Sequence, residues 1–352
     1  MNKKILIINN GLAGGGIEKA SSSFANYLAE QNTDVFILAL YKSEHFFKLD
    51  ARITFIEPSF TRNSFRKYLY IFKLLWYIKL NTKRINPDTV LSYGEWINPF
   101  VLLALQFTKY PVFVSDRMNP LAKLPFLSEN LRKVLYKKAA GIIAQTNFAK
   151  KVLFEKTKSK NIKVIPNPLT PIEGVVIEKK NKIISVGRLT SEKGHQYLLK
   201  AFSLIKNVDW ELSIVGDGNE RDSLEKLSQK LQIDDRIIFH GHMKDFSKLM
   251  YESKIFVLPS LKEGFPNALI EAMSVPLPCI TTNFFEGENE IINQGVNGFV
   301  ISPGSVEELA EALNLLINDS DLREKIAINA FKVRENYNFD KIAKQYMNFI
   351  NN

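Results

Sequence analysis

A chain of 352 residues, 45% hydrophobic and 24% charged, is too long for one ordinary core and suits a globular protein of two domains. Its one cysteine, Cys279, excludes an intrachain disulfide and any multi-cysteine metal site, and fits a buried small side chain in a reducing compartment. A net charge of +10 calls for an anionic partner, which by charge alone is nucleic acid, acidic lipid or a phosphorylated substrate.

The first apolar run, Ile5-Leu-Ile-Ile8, is too short for a signal peptide and ends in Asn9-Asn10-Gly11 without a small-residue cleavage site, so it reads as a buried strand. No segment reaches the ~18 to 20 apolar residues of a membrane span, and a cytoplasmic protein is expected. Runs rich in Val, Ile and Phe then alternate with amphipathic stretches of helical period. The strand candidates in the first half are Lys4–Ile8, Val35–Leu40, Ile53–Glu57, Thr89–Ser92, Val112–Ser115, Gly141–Gln145 and Lys163–Pro166. In the second half they are Ile183–Val186, Leu212–Val215, Ile237–His240, Ile255–Pro259, Cys279–Thr281 and Gly298–Ile301, with helices over Gly194–Ile205, Arg221–Leu231 and Val306–Ile317. Such alternation predicts an α/β fold of parallel sheets covered on both faces. The pattern restarts once, and Pro168, Pro171 and Gly174 between Asn167 and Lys182 mark a linker. Two doubly wound, Rossmann-like domains follow, over residues 1–168 and 169–336, with a final helix over about 337–352 that is able to return to the first. Their strand ends are expected to face a central cleft, because open parallel sheets bind ligands at that edge.

The stretch with the most chemistry is Phe256-Val-Leu-Pro-Ser260 followed by Glu263-Gly-Phe-Pro266-Asn-Ala-Leu-Ile-Glu271. A strand runs into a loop, and a helix begins near Pro266, a residue favoured in the first turn. The free N–H groups of that helix start form an anion site, bracketed by two carboxylates. The plain alternative is one acidic residue favouring the helix dipole and one solvated helix glutamate.

Glu263-x7-Glu271 in this setting resembles the signature of glycosyltransferase family 4, retaining enzymes of the GT-B fold. The resemblance spans nearly the whole chain through Gly14-Gly-Gly-Ile-Glu18, Ser115-Asp-Arg-Met-Asn-Pro120, Ile165-Pro-Asn-Pro168, Val186-Gly-Arg-Leu-Thr-Ser-Glu-Lys-Gly194, Val215-Gly-Asp-Gly218 and Gly295-Val-Asn-Gly-Phe-Val300. It implies that Arg188 and Lys193 hold the donor diphosphate and stabilise the leaving group without a metal, a fork and a point charge suited to that task. It implies that Glu271 binds the ribose hydroxyls and Glu263 the donor sugar, which makes Arg188, Lys193 and Glu263 the candidate catalytic residues. Gly264, Phe265, Pro266, Asn267 and Ala268 complete the donor site, with backbone N–H groups of Phe265, Asn267 and Ala268 near the sugar. Gly15 and Gly16 are assigned to the donor site as well, where they allow close backbone approach to the diphosphate or the acceptor. The first domain then binds the acceptor and the second the nucleotide-sugar, which is a co-substrate; no cofactor is expected. No nucleophile–base pair is visible, unlike hydrolases with two carboxylates flanking the bond. Many members carry a histidine where this chain has Asp116-Arg117, and Asp116, Arg117 and Asn119 are assigned to acceptor or sugar recognition. Pro276 stands where the family usually has glycine, and Asn283-Phe-Phe-Glu-Gly287 lacks the usual paired glycines.

Other readings fare worse. Gly11-Leu-Ala-Gly-Gly-Gly16 lacks dinucleotide-binding spacing, and the second strand ends in Leu40-Tyr-Lys42, with no acidic residue for a ribose. His240-Gly-His242 has no third metal ligand at a recognisable spacing. The stretch from Arg62 to Arg84 holds Arg62, Arg66, Lys67, Lys73, Lys79, Lys83 and Arg84, with Phe65, Tyr68, Tyr70, Phe72, Trp76 and Tyr77 among them and no acidic residue. A helix packed on the sheet through Leu69, Phe72, Leu75 and Trp76 accounts for part of it. Its basic and aromatic density resembles an interfacial helix, so peripheral binding to an anionic membrane is expected; no nucleic-acid motif accompanies it. The expected activity is transfer of a hexose or N-acetylhexosamine from a nucleotide-sugar, UDP first, to a polyprenyl-diphosphate-linked glycan. The alternatives are a GDP-mannose-type donor with a soluble or protein acceptor, and a non-catalytic binding module.

Overall fold

A computed structural model describes residues 2–13, 15–60, 67–170, 172, 177–284 and 290–351. In chain order the first elements are β1 (Lys4–Asn9), α1 (Gly16–Glu30), β2 (Asp34–Ala39), β3 (Thr54–Ile56), α2 (Lys67–Ile85), β4 (Thr89–Tyr93), α3 (Asn98–Leu105), β5 (Val112–Ser115), α4 (Phe126–Leu135), β6 (Gly141–Ala144), α5 (Asn147–Thr157) and β7 (Ile162–Val164). There follow β8 (Lys182–Val186), α6 (His195–Ser203), β9 (Glu211–Val215), α7 (Arg221–Lys230), β10 (Ile237–Gly241), α8 (Ser247–Glu252), β11 (Ile255–Leu258), α9 (Asn267–Ser274), β12 (Cys279–Thr282), β13 (Phe299–Ile301), α10 (Val306–Asn318), α11 (Ser320–Phe331), α12 (Val333–Asn336) and α13 (Phe339–Asn351). Each strand lies where the apolar runs put it, with ends shifted by at most two residues.

Two compact units emerge. Unit 1 comprises residues 1–168 and 339–352, and unit 2 residues 169–338. The sheet of unit 1 has the order β3-β2-β1-β4-β5-β6-β7, and every pairing is parallel. Alternation along β1 shows why two helical layers are needed: Leu6 and Ile8 face one core, Ile5 and Ile7 the other. The first core is closed by Leu74 of α2, Val101 of α3, Leu135 of α4 and Leu153 of α5. The second is closed by Phe24 and Leu28 of α1 and by Tyr346 and Ile350 of α13. Helix α13 is thus part of unit 1, where Phe349 meets Phe113 edge-on at 5.4 Å.

Unit 2 repeats the plan with the order β10-β9-β8-β11-β12-β13, again parallel throughout. Leu198 and Phe202 of α6, Leu224 of α7, Leu313 of α10 and Ile326 of α11 pack on Ile183, Leu212, Ile255 and Val257. Helix α10 starts where Ser305 Oγ accepts the Glu308 N–H at 3.2 Å while the Glu308 carboxylate accepts from Ser302 N, which satisfies free N–H groups at and near the helix start. Each sheet reverses its strand order once, between β1 and β4 in unit 1 and between β8 and β11 in unit 2. Loops leaving such strands diverge and leave a crevice at their C-terminal ends.

The structure corrects two details. Helix α2 packs through Tyr70, Leu74, Ile78 and Ile85, not through Leu69, Phe72, Leu75 and Trp76; Phe72 and Trp76 are 68% and 61% exposed. Pro266 caps α9 from outside instead of opening its first turn. Gly14, the stretch from Arg62 to Arg66, linker residues Pro171 and Glu173–Val176, and Phe285–Gly287 lie outside the described residues.

Candidate functional site

At the reversal point of unit 2, the loops after β8 and β11 are stitched together. Leu261 N donates to Glu192 O at 2.8 Å. Gly194 turns with φ +70°, and a Cβ there would lie 2.1 Å from the Pro259 carbonyl oxygen, so only glycine fits this crossing. On the other side, Leu189 N donates to Asp217 O at 2.9 Å, and a Cβ on Gly218 would strike Leu189 O at 2.3 Å. These backbone contacts fix the loop that carries Arg188 and Lys193.

The stitching brings together residues 70 apart in sequence. Lys193 Nζ donates to Glu263 Oε1 at 2.6 Å, and Ser260 Oγ donates to the same oxygen at 2.7 Å. The Ser260 carbonyl in turn accepts from Thr282 Oγ1, so β12 braces the loop. Lys193 and Glu263 side chains are 17% and 9% exposed, whereas Arg188 is 75% exposed and 3.5 Å from Glu192. A screened surface pair of that kind holds Arg188 weakly and leaves it able to turn toward an anion. Directly after this loop, His195 is buried at the start of α6 with neither ring nitrogen hydrogen-bonded. Burial, aided by Lys193, lowers it to about 4, so the imidazole is neutral near pH 7. Helix α9 begins beyond Glu263. Phe265 and Pro266 are buried, Asn267 is exposed, and Gly264, Ala268 and Glu271 are partly exposed. The Asn267 N–H donates to Phe265 O at 3.0 Å, so it is occupied within the turn.

Unit 1 places its candidates differently. Gly15 caps α1 at the reversal point, and a Cβ on Gly16 would meet nothing within 4 Å, so backbone there borders open space. Asp116 and Arg117 are buried instead. Asp116 accepts from Tyr136 Oη at 2.6 Å and Asn98 Nδ2 at 3.0 Å, with Arg132 at 3.8 Å. Arg117 donates to Tyr346 Oη at 2.9 Å and to Asn167 Oδ1, and lies over the Tyr93 ring at 5.2 Å. Asn119 Oδ1 accepts the Leu121 N–H at 2.8 Å and forms a turn. His240 and Ser213 bond at 3.1 Å.

One residue absent from the sequence reading belongs to this set. Glu95 follows Gly94 (φ +118°) at the end of β4. Its Oε1 accepts the N–H groups of Arg117 and Met118, which pins the turn after β5, while the buried Oε2 has no partner. Burial and the nearby Asp116 raise Glu95 to about 7. Burial also raises Asp116, although Tyr136, Arg132 and Asn98 pull it down. A glycine–acid pair just past a strand at the reversal point was the available signal.

Two Rossmann-like parallel sheets, each reversing once, define the GT-B class of α/β fold. The same fold appears in a solved structure of Anabaena HepE in complex with UDP, which matches with a TM-score of 0.82 and 19% identity over 98% of both chains. Residues 14–171 match the family model described as Glycosyltransferase Family 4, and residues 172–333 the model described as Glycosyl transferases group 1. The chain is 33% identical to an uncharacterised glycosyltransferase of Haemophilus influenzae, over 98% of this chain and 99% of that one. It is 26% identical to the GalNAc-alpha-(1->4)-GalNAc-alpha-(1->3)-diNAcBac-PP-undecaprenol alpha-1,4-N-acetyl-D-galactosaminyltransferase of Campylobacter jejuni, over 99% of this chain and 98% of that one. The chain belongs to this glycosyltransferase family and is a transferase enzyme.

Proposed function

We propose that the chain is a retaining, metal-independent glycosyltransferase of glycan assembly whose donor site is the reversal point of unit 2. The observation that carries this reading is the contact of Lys193 with Glu263, an ammonium and a carboxylate that are 17% and 9% exposed and held where the two loops cross. In the resting chain each neutralises the other. A nucleoside diphosphate offers Lys193 a stronger anionic partner, and Glu263 is then free to accept a hydrogen bond from a donor-sugar hydroxyl. Arg188 closes on the same diphosphate, and Glu271 accepts from the ribose hydroxyls. The acceptor oxygen bonds to the sugar C1 on the face the leaving group vacates. The C1–O bond to the diphosphate breaks, and a leaving phosphate oxygen takes the acceptor proton. Lys193 and Arg188 stabilise the charge that grows on the diphosphate.

UDP is the first-choice nucleotide of the donor, supported by the fold shared with the UDP complex of HepE. A polyprenyl-diphosphate-linked glycan is the proposed acceptor, supported by the printed activity of the Campylobacter relative. Unit 1 receives it, and the Asp116–Asn119 turn, pinned by Glu95, shapes recognition. Helix α2 adds a membrane contact. Leu69, Phe72, Trp76 and Leu80 form an exposed stripe on its outer face, flanked by exposed Lys73, Lys79, Lys83 and Arg84. An apolar stripe with a basic border lies flat on an anionic bilayer surface. No helix among the described residues is long and apolar enough to cross a membrane.

Donor binding and turnover, measured together, test the site. Glu271→Ala is expected to weaken UDP-sugar binding, and Lys193→Ala to lower turnover more than affinity. Full activity in both variants removes the assignment. A thermal-shift screen of UDP-, GDP- and ADP-sugars then identifies the base.

A further inference from the structure

The opposite end of the unit 2 sheet holds a second concentration of charge. Lys179 precedes β8, Lys254 immediately precedes β11, and Pro276 and Pro278 lead into β12. Together with Ser320, Arg323, Glu324, Ala327 and Ile328 on one face of α11, these residues line a cavity of about 360 Å³. Strands of four or five residues separate it from Lys193 and Glu263 by roughly 13–17 Å at about 3.3 Å per residue. It is therefore a different site from the one above.

Three cations converge there, none of them ion-paired to a carboxylate among the described residues. The nearby Glu252 is shared by Lys180, Lys182 and Lys248. Lys179 Nζ donates to Pro276 O at 2.6 Å, and Lys254 Nζ to Asn181 Oδ1 at 2.7 Å. Arg323 uses Nη1 on the carbonyls of Leu316 and Ile317 at the end of α10. Each ammonium thus keeps spare donors, and Arg323 keeps its Nε and Nη2 edge. Burial lowers Lys179; Cys279 pulls the other way, and Arg323 and Lys254 each add a smaller repulsion in the lowering direction. Glu324 is exposed, and Asp319, which acts on Arg323, spends an oxygen capping Leu322 N at 2.8 Å. An anion that enters relieves this crowding.

The walls narrow the choice of anion. Pro276, Pro278, Ala327 and Ile328 add apolar surface to the lining beside its cations. At about 30 Å³ per small group the space takes roughly a dozen non-hydrogen atoms. We propose that this cavity is a binding site for a small soluble organic phosphate, a phosphomonoester with a compact apolar body. The dianion sits among Lys179, Lys254 and the free edge of Arg323, and the apolar body rests on the two prolines and Ile328.

Isothermal titration of the full chain with phenyl phosphate, in the presence of saturating UDP to occupy the donor site, tests this. Saturable one-site binding with a Kd below about 1 mM is expected. It weakens at least tenfold in Lys179→Gln and in Lys254→Gln, and persists in Lys193→Gln without UDP. Absence of saturable binding at about 10 mM overturns the proposal, with both variants checked for a native circular dichroism spectrum. Binding that is lost in Lys193→Gln but retained in Lys179→Gln overturns it equally, because the anion then reports the donor site.

Discussion

Units 1 and 2 share a strand order and a reversal point, yet they use charge at that edge in opposite ways. In unit 1, Asp116, Arg117 and Arg132 are buried and joined to Tyr136, Asn98, Tyr346 and Asn167. Their hydrogen bonds tie β5 to the last helix and to the end of the first unit, so the charge there holds structure. In unit 2, the Lys193–Glu263 pair rests on a backbone crossing, and the Lys193 side chain is 17% exposed. On the proposed reading, one topology supports an edge whose charges are tied into the structure and an edge with charge to lend. What decides is whether the loop's own backbone or its side chains carry the contacts between strands.

Substitutions that remove charge from each edge separate the two uses. Lys193→Ala is expected to lower turnover about 100-fold or more while stability changes by only about 1 kcal/mol, measured by steady-state kinetics and urea unfolding. Arg117→Ala is expected to cost about 2–4 kcal/mol of stability, because buried Tyr346 and Asn167 lose the guanidinium that joins them. Equal stability losses in the two variants erase the distinction. Gly194→Ala tests the backbone crossing itself: collision with Pro259 O at a positive φ is expected to cost about 1–3 kcal/mol and to lower turnover by moving Lys193.

The pH response of stability has opposite signs in the two units. Glu95 is raised to about 7, so the folded state holds a proton that the unfolded chain releases near the ordinary 4.5. Its contribution is full below about 4.5 and falls as pH rises to about 7. His195, lowered to about 4, contributes fully above 6.5 and loses that contribution as pH falls toward 4. Melting temperatures across pH 4–8 are expected to show the first slope flattened in Glu95→Gln and the second in His195→Leu. The smallest effect expected is at α2, where Trp76→Glu reduces co-sedimentation with anionic vesicles severalfold at low salt and leaves turnover on a soluble acceptor unchanged.

Much of this was legible in the residues, for physical reasons that differ by site. The strands were readable because fully buried parallel strands are continuous runs of branched residues, as in Ile5–Ile8 and Ile255–Leu258. The loop carrying Lys193 and the helix carrying Glu271 were readable because glycine and proline mark their turns. The direct contact of Lys193 with Glu263 was not, since it follows from β8 lying beside β11, a matter of strand order. Arg117 and Asp116 carry no local mark of burial; Tyr346 and Asn167 are 229 and 50 residues away from Arg117. Helix α2 misled because it is apolar nearly all round, so period alone fitted Leu69, Phe72 and Trp76 as well as Tyr70, Leu74 and Ile78.

The claim that unit 2 lends its charge to a nucleotide while unit 1 keeps its own is tested most directly by amide hydrogen exchange with and without UDP. Slowed exchange is expected over residues 187–194 and 260–271, with residues 115–118 unchanged. Protection confined to residues 115–118, or none over residues 187–194 at saturating UDP, contradicts it.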